Sequence, residues 1–183
     1  MISRNYMVML RNFILFLFAS FVLSNFSSAQ SGPDFIKIVG KESRMIDSDS
    51  SMKKITLQNE DFLKNMPDGG GMMTGYFKNG QVKKIYVWVG LSYGTEIKGF
   101  YFRNNQLIFV YERFHSFPLD KASNELDYTK TEITFEGRYY FRQNKIISKV
   151  TKGHRRFEDN TADPARKFLM EAKENLMMLE KKK

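Results

Sequence analysis

The chain has 183 residues and a formal charge of +9, and 42% of its residues are hydrophobic and 15% aromatic. This length favours a single domain, and the apolar content excludes a disordered chain. The sequence has no cysteine, which excludes a disulfide scaffold, a cysteine-ligated metal centre, a cysteine nucleophile and a lipid-modified cysteine anchor.

Residues 1–29 have the layout of a secretory signal peptide. Arg4 and Arg11 form a positive start without any acid, residues 13–23 are almost entirely apolar, and the small residues Ser27-Ser28-Ala29 follow. The apolar run is well short of the ~20 residues that a bilayer-spanning helix needs, although an uncleaved N-terminal anchor is the alternative. We expect cleavage after Ala29 and a secreted or periplasmic protein.

Removal of residues 1–29 would take away two arginines and no acid, which leaves 27 basic against 20 acidic side chains, a charge of +7. In a cytosolic protein this balance would point to nucleic acid, but export argues against a nucleic-acid partner. An anionic envelope glycan or an envelope protein is the more plausible partner. The alternative is that the charge simply keeps a small exported domain soluble.

Residues 30–71 are predicted to form a short N-terminal helix and a linker. Phe35, Ile38 and Val39 have the spacing of one helical face within residues 34–47. A strand over part of this segment is the alternative. A further short strand is predicted over Lys54–Leu57.

From residue 72 the apolar residues alternate with period two, and an internal repeat appears in three copies, Phe77–Val82, Phe102–Leu107 and Phe141–Ile146. Each copy centres on a pair such as Asn79-Gly80, which suits a two-residue hairpin turn with positive φ at both positions. We therefore predict an α+β fold built on an antiparallel meander of about six strands. The three predicted hairpins pair 72–78 with 81–90, 95–103 with 106–114, and 130–142 with 145–151.

The alternation also predicts which side chains share a face of the sheet. A two-residue turn places Phe102 opposite Leu107, and the last hairpin alternates apolar and charged residues as a half-buried sheet does. In the first hairpin both faces of residues 82–89 are apolar, so either a bulge resets the phase or both faces are covered. The residues predicted on the buried face are Phe100, Phe102, Leu107, Phe109, Tyr111, Ile133, Phe135, Tyr139 and Phe141.

A C-terminal helix is predicted to begin at Pro164, with Asp163 as its N-cap. One apolar stripe at helical spacing is expected to pack on the sheet, so that residues 72–183 form one domain with residues 30–71. The stripe consists of Ala165, Phe168, Leu169, Ala172, Leu176 and Leu179.

The runs Gly75–Ile85, Tyr101–Glu112 and Gly137–Arg142 resemble small exported bacterial proteins of unknown function. The individual hairpins are similar to the variant MORN-type repeat, an aromatic–Asn–Gly hairpin of bacterial surface and toxin-neutralising proteins. The resemblance covers about residues 72–150. It implies an envelope or secreted location, and it supplies no catalytic residues.

The sequence offers little catalytic chemistry. His115 could be combined with Ser116 and Asp120 into a hydrolytic triad, but the sequence has no Gly-x-Ser-x-Gly elbow to present the serine. His154 has no second histidine or cysteine near it, and a zinc site needs three or four ligands. We expect no cofactor, no metal site and no enzymatic activity.

One constellation indicates binding. In each repeat a tyrosine precedes the phenylalanine and a cation follows it, and period-two geometry places both on the face opposite Phe102. Surfaces of tyrosine and cations are typical of sites for glycans, acidic peptides or proteins. The alternatives are cross-strand aromatic pairs that stabilise an exposed face, or coverage by the N-terminal helix. The candidate binding residues are Tyr76, Lys78, Tyr101, Arg103, Tyr140 and Arg142.

Together these patterns predict an exported, non-enzymatic binding or interaction module of the bacterial cell envelope. Two alternatives stay open. One is an exported enzyme with its site under the loop 114–130, which is long for a hairpin meander. The other is a purely structural component of the envelope.

Overall fold

A computed structural model describes residues 32–154 and 163–183, so the predicted signal peptide, residues 1–29, lies outside the described residues. Two 17-residue helices flank a sheet of seven strands. The elements in chain order are α1 Gly32–Ser48, β1 Lys53–Gln58, a short 3-10 turn Asn59–Asp61, β2 Gly71–Lys78, β3 Gln81–Leu91, β4 Gly94–Arg103, β5 Gln106–Ser116, β6 Glu132–Arg142, β7 Lys145–Gly153 and α2 Pro164–Glu180.

The seven strands form one antiparallel sheet whose spatial order follows the chain order from β1 to β7. The predicted α+β meander is therefore confirmed, with one strand more than the six predicted. The additional strand is β1, which was expected only as an isolated strand but pairs along its whole length with β2.

The three predicted hairpin turns are confirmed by their backbone conformation. Both central residues have positive φ in each turn, at 51° and 75° for Asn79 and Gly80, and at 49° and 59° for Asn104 and Asn105. Gln143 and Asn144, at 49° and 61°, adopt the same conformation without a glycine. Paired positive φ values define the turn whose twist matches that of the flanking strands.

A bulge follows each of these turns and explains where the predicted phase was wrong. Phe102 pairs with Leu107 as predicted, but Tyr101 pairs with Phe109, so Ile108 is an extra residue in β5. An extra residue in one strand moves every later side chain to the other face. Phe109 and Tyr111 consequently lie on the face of Tyr101, not on the face of Phe102 as predicted.

The same irregularity recurs in the other hairpins, with Lys83 and Ile147 as the extra residues. In the first hairpin the bulge resets the phase, which was one of the two alternatives. A further shift between β5 and β6 leaves Thr134 unpaired. The prediction that Ile133 is buried was wrong, because its side chain lies beyond this shift and is 55% exposed.

Each face of the sheet carries its own apolar core. On one face the side chains of Phe100, Val110 and Phe141 pack with α2, which contributes Phe168, Ala172 and Leu179. On the other face Tyr101, Ile108 and Phe109 pack with α1, which contributes Phe35, Val39 and Ile46. The N-terminal segment is thus a helix and not the alternative strand, although Ile38, predicted on its apolar face, is exposed.

The helix α2 packs on the sheet as its apolar stripe predicted. The side chain of Asp163 accepts a hydrogen bond from the backbone nitrogen of Ala165 at 3.0 Å, and Pro164 occupies the first turn. The ring of Phe168 lies 4.6 Å from that of Tyr139. An ionic contact adds to this packing, because the Nζ of Lys98 donates to both carboxylate oxygens of Glu171 at 3.1 Å.

Three glycines lie beneath aromatic rings of their own strands. A Cβ atom on Gly137 would lie 2.7 Å from Tyr139, one on Gly99 would lie 3.1 Å from Tyr101, and one on Gly75 would lie 2.7 Å from the ring of Phe77. The ring two residues along the strand covers the backbone that the glycine leaves bare. At Gly99 the covering ring is that of Tyr101, on the α1 face of the sheet.

Within the described ranges, no helix combines the length and the apolar character that crossing a membrane requires.

Candidate functional site

The helix α1 lies across the candidate binding residues and contacts most of them. The hydroxyl of Tyr101 donates to the carboxylate of Asp47 at 3.1 Å, and the Nε of Arg103 donates to Glu42 at 2.6 Å. Coverage by the N-terminal helix was one of the alternatives for this face.

Of the other four candidates, two contact α1 or a residue just after it, and two pack in the core beneath it. The guanidinium of Arg142 lies 4.2 Å from the ring centre of Phe35 on α1, and Lys78 forms an ion pair with Asp49 just after α1. Tyr76 and Tyr140 pack against the apolar core beneath α1. Only Tyr101 and Tyr140 of the six also line the open space beside the helix.

That open space is a cleft of about 550 Å³ between α1 and the sheet. Its volume lies within the ~300–1,000 Å³ of small-molecule sites. Its wall on α1 and its floor on β3 to β6 are rich in tyrosine and basic side chains. The residues that line it are Gly40, Ser43, Arg44, Asp47, Lys84, Tyr86, Ile97, Gly99, Tyr101, Phe109, Tyr111, Arg113, Arg138 and Tyr140.

The floor of the cleft is one cross-strand row of side chains. Tyr86 pairs with Gly99, Gly99 pairs with Tyr111, and Tyr111 pairs with Arg138. Because paired residues of adjacent strands point to the same face, this row presents two tyrosines and an arginine with a low point at the glycine between them. The row exists in this form only because the bulge at Ile108 turns Tyr111 to the α1 face.

One carboxylate organises the arginine end of the cleft. Glu136 accepts hydrogen bonds from Tyr111 at 2.9 Å and from Arg113 at 3.1 Å, and it forms an ion pair with Arg138 at 2.6 Å. Burial alone would raise the pKa of Glu136, but the hydrogen bonds from Tyr111 and Arg113 and the charges of the two arginines lower it overall. Glu136 is therefore ionised at neutral pH.

The ring of Tyr111 holds both guanidinium groups in place. The Cζ atoms of Arg113 and Arg138 lie 5.1 Å and 5.6 Å from its ring centre, within the range of a cation–π contact. Two guanidinium groups thus share one carboxylate. The Nε of Arg113 is buried and makes no hydrogen bond to any residue that the structure describes.

A third guanidinium faces the same cleft from α1. Arg44 lines the cleft, and no acidic group among the described residues forms an ion pair with it. Arg44, Arg113 and Arg138 thus line one cleft, and Glu136 is the only acidic partner that the described residues supply to them. This leaves an excess of positive charge that can bind an anion.

The opposite end of the cleft is electrically balanced. The Nζ of Lys84 lies 2.5 Å from Asp47 and within 5.2 to 5.9 Å of the ring centres of Tyr76, Tyr86 and Tyr101. Burial raises the pKa of the Tyr86 hydroxyl, with a smaller contribution from Tyr76. Tyr86 therefore presents an uncharged hydroxyl and an aromatic ring, and the cation beside it, Lys84, is already paired with Asp47.

The loop between β5 and β6, which the sequence offered as an enzyme site, is held by its own contacts. The hydroxyl of Ser116 donates to the carbonyl of Tyr93 at 3.4 Å, and Asp120 accepts from the backbone nitrogens of Ala122 and Ser123. Neither residue is bonded to His115. The triad considered above is not assembled, and no residue of this loop lines the cleft.

The pKa of His115 is lowered by burial and by the charge of Arg113, and its Nε2 makes no hydrogen bond within the described part of the chain. His154 follows β7, and its backbone nitrogen donates to the carbonyl of Thr134 at 2.8 Å. Across residues 32–154 and 163–183, no three acidic or histidine side chains are close enough to hold a metal ion together.

Six lining residues of the cleft were not predicted from the sequence, namely the basic residues Arg44, Lys84, Arg113 and Arg138 and the aromatic residues Tyr86 and Tyr111. No repeated motif links these residues in the sequence, because they come from α1, β3, β5 and β6 and are brought together only by strand pairing and by the packing of α1.

Comparisons with protein-family models, with curated proteins and with solved structures each found no significant match to this chain.

Proposed function

We propose that this protein is an exported, non-enzymatic binding module of the bacterial cell envelope, and that its ligand site is the cleft between α1 and the sheet. One observation carries the proposal: Arg44, Arg113 and Arg138 line one cleft with a tyrosine-rich floor, and Glu136 is the only acidic partner that the described residues supply to them. The ligand would therefore carry an anionic group. An envelope glycan or an acidic segment of an envelope protein has this property.

A binding role fits the state of the acidic groups in and beside the cleft. Asp47 is engaged by Lys84 and Tyr101, and Glu136 by Tyr111 and two arginines. A general acid or base needs a group that can exchange a proton near neutral pH. The lowered pKa of Glu136 suits that purpose poorly, and both carboxylates orient the basic groups around them.

The export of the protein rests on the sequence of residues 1–29, with its positive start, apolar run and small residues before Gln30. The likeness of the three hairpins to MORN-type repeats of bacterial surface proteins supports the same location. A secreted or periplasmic protein is exposed to the polyanions of the cell envelope.

The test compares two pairs of substitutions that remove the same charge. Arg113→Gln with Arg138→Gln changes the cleft, and Arg166→Gln with Lys173→Gln removes two cations from the exposed face of α2. Binding of an oligogalacturonate and of a glutamate-rich peptide is measured by calorimetry at fixed salt. We expect at least one probe to bind, and the cleft pair to weaken it by about tenfold or more, as the loss of charge-assisted hydrogen bonds implies.

The α2 pair should change the affinity by less than about threefold, through long-range charge alone. Equal losses from both pairs would mean that the probe binds the net positive charge and not the cleft. The proposal would also be contradicted if neither probe bound at millimolar concentration.

A further inference from the structure

We infer that the ligand of this cleft is an acidic saccharide, with its anionic group at the arginines and a sugar ring on Tyr86. The inference rests on the proposed function and adds the chemical class of the ligand to it. It follows from how charge, aromatic surface and backbone hydrogen bonding are distributed along the cleft.

The charge is asymmetric along the floor. Excess positive charge lies at the β5–β6 end, where Arg113 and Arg138 share Glu136, while Lys84 at the β3 end is paired with Asp47. An acidic group of the ligand would therefore gain a cation at the β5–β6 end. The part of the ligand at the β3 end needs no charge of its own, because the cation there is already paired.

The balanced end has the chemistry of a sugar-binding surface. Tyr86 of β3 offers an aromatic ring near Ile97 of β4, and the polar residues Ser43 and Asp47 of α1 line the same cleft. A pyranose ring has an apolar C–H face surrounded by hydroxyl groups. It can therefore lie on the tyrosine ring while its hydroxyls bond to these polar groups, whereas a bare inorganic anion would leave the aromatic end empty.

The backbone of the floor argues against an extended peptide. The four strands that form it, β3 to β6, are each hydrogen-bonded to a neighbour on both sides. A peptide that binds a sheet by adding a strand needs an unpaired edge, and the cleft offers none. Recognition in the cleft must therefore come from side chains, which suits a ring-shaped ligand better than a polypeptide.

The experiment separates ring recognition from charge recognition. The two probes are an oligogalacturonate, which combines sugar rings with carboxylates, and a glutamate-rich peptide of equal charge. The peptide is the first control, and a methyl-esterified oligogalacturonate, which lacks the charge, is the second. We expect the oligogalacturonate to bind at least about tenfold more tightly than either control.

The matched variants are Tyr86→Ala, which removes the ring, and Tyr86→Phe, which keeps the ring and removes the hydroxyl. Tyr86→Ala should weaken the binding of the oligogalacturonate by about tenfold, and Tyr86→Phe should weaken it by about threefold or less. The glutamate-rich peptide should be insensitive to both changes. A thermal melt of each variant shows whether the fold is retained, and Tyr86→Leu, which removes the ring but keeps an apolar side chain, takes the place of Tyr86→Ala if that variant unfolds.

The outcomes distinguish this inference from the proposed function. If the peptide binds as tightly as the oligogalacturonate and both depend on Arg113 and Arg138 but not on the ring of Tyr86, the acidic-saccharide inference is overturned and the anion site remains. If neither probe depends on the two arginines, both proposals fail.

Discussion

The phenolic hydroxyl of Tyr101 donates to both carboxylate oxygens of Asp47, at 3.1 Å each, and so connects the C-terminal end of β4 to the last turn of α1. Burial, followed by the nearby charge of Asp47, raises the pKa of Tyr101 well above its ordinary value. The hydroxyl is therefore a permanent donor, and it holds the helix that forms one wall of the cleft.

Replacing Tyr101 by Phe should lower the free energy of unfolding by about 1 kcal/mol, because one hydrogen bond to a charged group is lost while the ring packing is kept. Urea denaturation measures this change. Tyr140→Phe is the matched control, since its hydroxyl makes no hydrogen bond to any described residue. An equal effect of the two substitutions would show that the bond to Asp47 contributes nothing specific.

The attachment of α2 can be tested at Leu179, which is fully buried on the sheet while Met177 in the same turn is 51% exposed. Leu179→Ala should cost about 2–5 kcal/mol as a buried leucine truncation, and Met177→Ala less than about 1 kcal/mol. Leu169 is only partly buried, so Leu169→Ala should fall between them. Chemical denaturation of the three variants gives the order, and a small cost at Leu179 would contradict the packing of α2 on the sheet.

The glycine beneath Tyr139 should resist substitution. A Cβ atom on Gly137 would lie 2.7 Å from Cε2 and 2.9 Å from the hydroxyl oxygen of Tyr139, closer than such atoms can approach. Gly137→Ala should therefore destabilise the protein by about 1–3 kcal/mol through overpacking. Gly99→Ala, with a closest approach of 3.1 Å to Tyr101, should cost less. Thermal melts of both variants would contradict this account if Gly99→Ala were the more damaging.

The carboxylate of Glu136 should contribute to acid sensitivity. Its pKa is lowered from an ordinary value of 4.5 in the folded protein, so its stabilising contribution is present above that value and is lost as the pH falls through the folded-state pKa. We expect the unfolding free energy of Glu136→Gln to fall less steeply than that of the wild type as the pH is lowered from about 5 to about 3. Urea titrations at each pH measure the two slopes, and parallel slopes would show that Glu136 is not held by Tyr111 and the arginines.

Local sequence signals predicted the hairpins and the C-terminal helix because each depends on residues close together in the chain. Asn79-Gly80 and Asn104-Asn105 set their own backbone conformation, and Asp163-Pro164 marks the start of α2. The number of strands in the sheet was harder to predict. The strand β1 joins the sheet only by pairing with β2, and residues 59–70 separate the two strands in the chain.

The cleft could not be predicted, because its floor depends on a bulge. Without the extra residue at Ile108, Tyr111 and Arg113 would point toward α2. The choice between a regular and a bulged hairpin depends on how both faces pack, because α1 and α2 each cover a separate apolar core. Tyr101 and Arg103 were correctly placed on the face opposite Phe102, but the sequence did not decide whether that face was open or covered by α1.

The most direct test of the cleft as the ligand site uses Gly40, which lies on the α1 wall. A Cβ atom there has only Arg44 within 4 Å, at 3.7 Å, so Gly40→Ala should leave the cleft open and stabilise the helix by up to about 1 kcal/mol. Gly40→Leu should keep the helix equally well formed while its larger side chain extends into the cleft.

The measurement is the affinity of both variants for the tighter-binding of the two anionic probes, by calorimetry, with a thermal melt of each. We predict that Gly40→Ala retains the wild-type affinity and that Gly40→Leu binds at least about tenfold more weakly while melting no lower than the wild type. Wild-type affinity in Gly40→Leu would contradict the central claim, because the ligand would then be bound somewhere other than the cleft.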